Sequence, residues 1–175
     1  MLSYIIVGSG WRAEFYGRIA RTYPDLFRAV FLCRLEEGRA VFRAAIEDFP
    51  RAIDEKQFRV FFQPKFNITG DKPYLAGAEG LVRWQHPQLG MISPGVFIPL
   101  FEENGLIQDL DHYVWREAAR QIRLWKDEIG HTVPVSVNVS RVDMYDANIV
   151  YALLDILEES RLEAGDLHLE VTESA

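Results

Sequence analysis

The 175-residue chain is 49% hydrophobic and 26% charged, the balance of a globular domain with a sizeable core rather than a disordered tail, a collagen-like repeat or a disulfide scaffold. Its single cysteine, Cys33, can form no internal bridge, and no apolar run approaches the roughly 20 residues that span a bilayer. The formal charge of −7 is uneven: residues 1–34 carry five arginines against two acids, residues 35–175 carry 14 basic and 24 acidic side chains, and such an acidic main part argues against DNA as a partner.

The N-terminus shows no basic stretch followed by a long apolar run, so the expected location is the cytoplasm. Tyr4–Val7 is apolar, Gly8-Ser9-Gly10 is a turn, a mixed stretch runs to Tyr23, and Ala29–Cys33 is apolar again. The order strand, glycine turn, helix, strand describes a Rossmann-like βαβ fragment over residues 1–34. Gly8-Ser9-Gly10-Trp11-Arg12-Ala13 fits a G-x-G-x-x-A turn, whose glycines let a pyrophosphate approach a helix N-terminus. Arg34 would then suit a 2′-phosphate, which makes Gly8, Gly10 and Arg34 candidate NAD(P) contacts. A plain structural turn explains the same glycines, and the second mononucleotide half is missing, so NAD(P) is disfavoured. Cys33 reads as a core thiol.

Residues 35–56 carry Val41, Phe42, Ala45, Ile46 and Phe49 at helical spacing and read as a linking helix, interrupted at Pro50 and ending near Glu55. Phe58–Pro64 and Tyr74–Trp84 read as strands joined by the turn residues Asn67–Pro73, a link too short for a parallel crossover. They should form an antiparallel hairpin. A turn centred on Asp71 sets Gln63 opposite Glu79. Pro94 opens a helix through Glu103, and Ile107, Leu110, Val114, Ala118, Ile122 and Trp125 mark a long amphipathic helix. Pro134–Val139 is a strand, Ile149–Leu157 lies in a helix ended by Gly165, and Leu167–Val171 is the last strand. Strands alternating with helices predict a parallel sheet, and the chain stops a few residues after its last strand with no helix to cover it. The sequence therefore reads as an unfinished sheet.

Period-two alternation puts Leu75, Gly77, Glu79, Leu81 and Arg83 on one face of their strand. Ser136, Asn138 and Ser140 lie opposite the valines of the next. His168, Glu170 and Thr172 lie opposite the leucines of the last. Three strands thus each offer an oxygen donor, Glu79, Asn138 and Glu170, where a parallel barrel gathers its functional groups. Two carboxylates and an amide carbonyl suit Mg²⁺ or Mn²⁺. Each residue has a plainer reading beside this one. Glu79 could lie on an edge or pair with an arginine, Asn138 could cap the next helix, Glu170 could be solvated or ion-paired, and Arg83 could be a surface arginine. The four histidines have no metal-ligand spacing and read as surface or supporting residues. Trp115 and Trp125 read as core or interface.

Phe61-Phe62-Gln63-Pro64, Ala78-Glu79-Gly80-Leu81-Val82-Arg83-Trp84, His86-Pro87, Ile92-Ser93-Pro94, Phe97-Ile98-Pro99, Glu103-Asn104-Gly105-Leu106-Ile107, Ser136-Val137-Asn138-Val139-Ser140 and Leu169-Glu170-Val171-Thr172-Glu173-Ser174 together resemble the N-terminal half of an EAL domain, the bacterial cyclic-di-GMP phosphodiesterase family. The match runs from about residue 51 to 175. The family's Glu-Ala-Leu reads Glu79-Gly80-Leu81 here, which keeps the carboxylate. The resemblance implies a fold of the (β/α)8 barrel type with one antiparallel strand, incomplete in this chain. It implies metal ligation by Glu79, Asn138 and Glu170 and cyclic-di-GMP contacts from Gln63, Leu81 and Arg83. The activity it implies is metal-dependent hydrolysis of one phosphodiester to the linear dinucleotide. The family's later Asp-Asp-Phe-Gly segment, catalytic lysine and final glutamate ligand do not occur in these 175 residues, so no complete catalytic set is expected and hydrolysis should be weak or absent. Residues 1–34 instead resemble the first βαβ unit of Gfo/Idh/MocA-type NAD(P)-dependent oxidoreductases. The expected organisation is a Rossmann-like fragment over 1–34, a linking helix over 35–56 and a truncated EAL domain over 57–175, as though two reading frames were joined. A non-catalytic cyclic-di-GMP binding module and an NAD(P)-binding oxidoreductase fragment are the alternatives. Open barrel edges would favour a homodimer.

Overall fold

A computed structural model of the chain describes residues 2–6, 27–31 and 46–171. Two compact units emerge, Met1–Phe49 and Pro50–Ala175. In the first, β1 (Leu2–Ile6) pairs in parallel with β2 (Phe27–Phe31), with Tyr4 opposite Ala29. Parallel pairing needs a crossover between the strands rather than a tight turn. Gly8, Gly10, Cys33 and Arg34 lie outside the described residues. A helix, α1, covers 46–54 and continues through Pro50 without the expected interruption.

The second unit holds a mixed sheet with strand order β3 (Phe58–Asn67), β4 (Tyr74–His86), β6 (Val135–Val139), β7 (Leu167–Val171). A three-residue strand, β5 (Gly90–Ile92), pairs antiparallel with the end of β4. The hairpin is as expected: β3 and β4 run antiparallel with Gln63 opposite Glu79, and a register shift follows between Lys65 and Phe66. β4 pairs in parallel with β6, and β6 with β7. Glu79 is therefore on an interior strand, not an edge.

Between the strands lie α2 (Pro94–Glu103), α3 (Ile107–Ile129), α4 (Arg141–Met144) and α5 (Ile149–Ser160). The helix expected to run to Gly165 stops earlier. Arg161 adopts a left-handed conformation, and Leu162 donates its N–H to the Leu157 carbonyl (2.9 Å), closing the last turn. The single turn α4 and the short strand β5 have no counterpart in the sequence reading. Neither is long enough to show a periodicity.

The valines of β6 and the apolar stripe of α3 make one core: Val135, Val137 and Val139 are buried, as are Leu110, Val114, Trp115, Ala118 and Ile122. Trp115 is core, and its indole N–H donates to the Asn138 carbonyl (3.0 Å). Trp125 is only half-buried and packs edge-on against Phe62, with ring centroids 5.1 Å apart. A second cluster joins Phe58, Trp84, Phe97 and Phe101 at centroid separations of 5.0–6.1 Å. Its one polar edge is satisfied by Gln57, whose Oε1 accepts from the Trp84 indole (3.1 Å). Of the two readings given for the histidines, His86 takes the supporting one. It is buried, and its Nδ1 accepts from the backbone N–H groups of Gln88 and Leu89 (3.2 Å each), so it builds the β4–β5 turn.

Sheet registration depends on a close approach. The Pro134 carbonyl accepts from Ala78 N–H at 2.8 Å, and a Cβ built on Gly77 would lie 2.8 Å from that same oxygen. Gly80, three residues on, has ordinary room, with Val137 and Val60 methyls 3.4 Å from a built Cβ. Gly77→Ala should therefore cost about 1–3 kcal/mol. Gly80→Ala, which restores the family's Glu-Ala-Leu, should gain about 0.5–1 kcal/mol by removing a mid-strand glycine. Urea denaturation of the two variants checks both signs.

A buried polar joint ties α3 and α4 to the end of β6. The Ser140 backbone N–H donates to Asp111 Oδ2 and Asp143 Oδ2 (3.2 Å each), and Ser140 and Asp143 form a capping box that starts α4. Ser140, not Asn138, is thus the helix cap. Burial, followed by the hydrogen bond and charge of Asp143, pushes the Asp111 carboxyl up from 3.8 to about 8. A carboxyl raised on folding holds a proton that the unfolded chain has released, so its stabilisation is complete below the ordinary value and is lost as pH climbs towards the folded one. Stability should decline between about pH 4 and pH 8 from this source. Asp111→Asn should flatten that slope in urea midpoints taken across the range.

Candidate metal and ligand site

In-register parallel strands carry paired residues on a common face. Glu79 pairs with Ser136 and Ser136 with His168, which makes one polar row across β4, β6 and β7. Gln63 extends it onto β3, opposite Glu79. Two residues further along, Asn138 pairs with Glu170. The three oxygen-donor residues therefore occupy adjacent strands on the face away from the valine core. Glu79, Asn138 and Glu170 are each half-buried.

One residue the sequence reading passed over stands among them. The Lys65 ammonium lies 2.8 Å from Glu170 Oε2 and 3.7 Å from Glu79 Oε2, and it donates to Ser136 Oγ at 3.2 Å. The hydrogen bond to Glu170 is the leading cause that raises the Lys65 pKa above its ordinary value. Lys65 pairs with Gly77 in the hairpin, so β4 places no side chain between it and β6. The alternation that set Gln63 on this face also sets Lys65 there, a signal present in the sequence. Its partners, 71 and 105 residues away, were not. Glu79 does pair with a cation, but with lysine on the neighbouring strand rather than an arginine, and Glu170 shares it.

A cation already stands between two of the three proposed ligands, so the donor set tolerates concentrated positive charge. Two carboxylates and an amide carbonyl are the hard oxygen donors that Mg²⁺ or Mn²⁺ takes. Among the described residues no group of three or more His, Cys, Asp or Glu side chains converges. Glu79 and Glu170 meet at the Lys65 ammonium, and Asn138 stands in register with Glu170 on the neighbouring strand.

Next to this cluster, Phe61, Phe62, Gln63, Leu81, Arg83 and Met91 line an open cavity of about 330 Å³. The structure brings Gln63, Leu81 and Arg83 together there, with Phe61 and Met91 exposed beside them. Arg83 donates through Nη1 to the Val82 carbonyl (2.8 Å) and is half-buried, so it is more constrained than a free surface arginine. Exposed aromatic and thioether surface with an arginine and an amide suits a planar, polar ligand. Of the remaining histidines, His131 and His168 are exposed, and His112 Nε2 lies 3.9 Å from Asp143 Oδ1 in the α3–α4 joint. Among the described residues no helix is long and apolar enough to cross a membrane.

Comparison with known proteins gives the same segment a family. The EAL domain model matches residues 46–175. The bifunctional diguanylate cyclase/cyclic di-GMP phosphodiesterase MucR of Pseudomonas aeruginosa is 38% identical over 129 residues, covering 74% of this chain and 18% of MucR. An uncharacterised protein of Mycobacterium tuberculosis is 38% identical over 125 residues, covering 71% of this chain and 40% of that protein. The chain thus spans well under half the length of these curated relatives. The solved structure of the PaMucR phosphodiesterase in complex with c-di-GMP superposes with a TM-score of 0.66 over 74% of this chain and 51% of that one, at 38% identity. The FimX EAL domain of Xanthomonas citri, solved with c-diGMP, shares the fold at a TM-score of 0.67 and 23% identity, over 81% of this chain and 53% of its own. From the start of α1 onward, this chain belongs to the EAL domain family.

Proposed function

We propose that residues 57–175 form part of a (β/α)8-type EAL barrel that binds cyclic-di-GMP and holds a divalent ion for its hydrolysis. The observation that carries the reading is the shared strand face: Glu79 and Glu170 meet at one positive centre, and Gln63, Leu81 and Arg83 line the adjoining cavity. The c-di-GMP complex of the 38%-identical PaMucR phosphodiesterase supports the choice of ligand.

Glu79, Asn138 and Glu170 would hold Mg²⁺ or Mn²⁺. Such an ion lowers the pKa of water and polarises a phosphodiester oxygen. Arg83 would pair with a phosphate or a guanine edge through its planar fork, and Gln63 would hydrogen-bond the ligand opposite Glu79. Leu81 and Phe61 would supply the apolar wall against which a base lies. Glu79, Asn138 and Glu170 make one carboxylate–amide set, so binding is expected to outlast turnover.

Calorimetry of the 175-residue chain with cyclic-di-GMP, with Mn²⁺ and then with a chelator, tests the proposal. Binding should be tighter with metal. Arg83→Ala should weaken it about tenfold, and Glu79→Gln should remove the difference between metal and chelator. Chromatography of the mixture should show little linear dinucleotide. No heat of binding under either condition would end the proposal, and turnover at an ordinary enzyme rate would overturn the expectation of a weak catalyst.

A further inference from the structure

We propose that Lys65 is a resident counter-ion of the strand-tip carboxylates, holding Glu79 and Glu170 together when no divalent ion is bound and competing with that ion for them. This rests on the reading of Glu79, Asn138 and Glu170 as metal ligands. It adds a residue which that reading does not use.

Three features carry it. The first is position. A single ammonium reaches side chains of three successive strands, Glu79 on β4, Ser136 on β6 and Glu170 on β7, at 3.7, 3.2 and 2.8 Å. A lysine that merely balanced surface charge would not need partners on three strands. The second is access. Lys65 sits on β3 at the sheet's edge, and its partner on β4 is Gly77, so its stem can cross β4 without meeting a side chain. The third is electrostatic need. Two carboxylates that share a face repel unless a positive charge lies between them. Among the described residues, Lys65 is the cation that both of them pair with.

An ammonium is a compact point charge, able to occupy the place of a small ion among carboxylates. It is tethered, so its local concentration is high, but it carries one charge where Mg²⁺ or Mn²⁺ carries two. The divalent ion therefore wins once its concentration passes a threshold that Lys65 sets. Its side chain is 41% exposed and can swing into solvent when displaced.

The test uses the full 175-residue chain as wild type, Lys65→Met and Lys65→Arg, with folding checked by circular dichroism. Calorimetric titration with MnCl₂ should show Lys65→Met binding about fivefold more tightly than wild type. That is the effect of one unit charge at about 4 Å in a water-like medium. In chelator, Lys65→Met should melt about 2–4 °C below wild type, and saturating Mn²⁺ should restore it. Lys65→Arg, which keeps the charge, should follow wild type in both. In a Glu79→Gln/Glu170→Gln background, Lys65→Met should no longer lower the melting temperature. Equal or weaker Mn²⁺ binding by Lys65→Met, with wild type binding normally, overturns this inference and leaves the metal site standing. A melting loss that persists in the double-glutamine background also overturns it. No Mn²⁺ binding by wild type or by Lys65→Met overturns the metal site and this inference together.

Discussion

The register between β4 and β6 is the constraint on which the site depends. Strand side chains alternate with a period of two, so a slip of one residue would turn Glu79 towards the helices and Gly80 towards the polar face. Such a slip would bury an acid among Val135, Val137 and the apolar stripe of α3, at a cost that folding could not bear. Gly77 helps prevent it. Its missing side chain lets the Pro134 carbonyl close to hydrogen-bond distance of Ala78, and the pairing of Glu79 with Ser136 follows one residue later. The polar row of Gln63, Glu79, Ser136 and His168 is thus set by a backbone hydrogen bond between the two strands, one residue before it.

Much of this was legible in the chain. The hairpin register followed from two apolar runs and a turn rich in Asn, Gly, Asp and Pro, because the link allowed only one topology. The faces of β4, β6 and β7 followed from alternation, which sets Glu79, Asn138 and Glu170 on one face of the sheet. Long helices were found through their periodicity, and the start of α2 through Pro94. What could not be read was set by contacts distant in sequence. Asp111 lies on the long amphipathic helix, and its role comes from the Ser140 N–H, 29 residues on, which donates to it. His86 read as a surface or supporting histidine, and the turn into β5 consumes its ring nitrogen. Lys65 lies just past the expected strand end at Pro64, and its meaning comes only from strands that fold beside it later.

Charge organises the two sides of the sheet differently. On the helix side, Asp111 and Asp143 meet at the Ser140 N–H, where burial and the neighbouring carboxylate push the Asp111 carboxyl up. On the opposite side, Glu79 and Glu170 share an ammonium and remain partly open to water. One pair of acids is held in a joint between two helices and a strand end, while the other meets an ammonium and stays partly open to water.

The irregularity between Lys65 and Phe66 bears on how this hairpin can vary. Beyond it the ladder is reset: Phe66 faces Leu75 and Asn67 faces Tyr74, one residue out of step with the pairing below. Changes in the length of the 68–73 connection can be taken up at that offset, above the level of Gln63 and Glu79. The hairpin tip is therefore where insertions could accumulate over generations, or a tag be grafted, while the pairing beneath keeps its step.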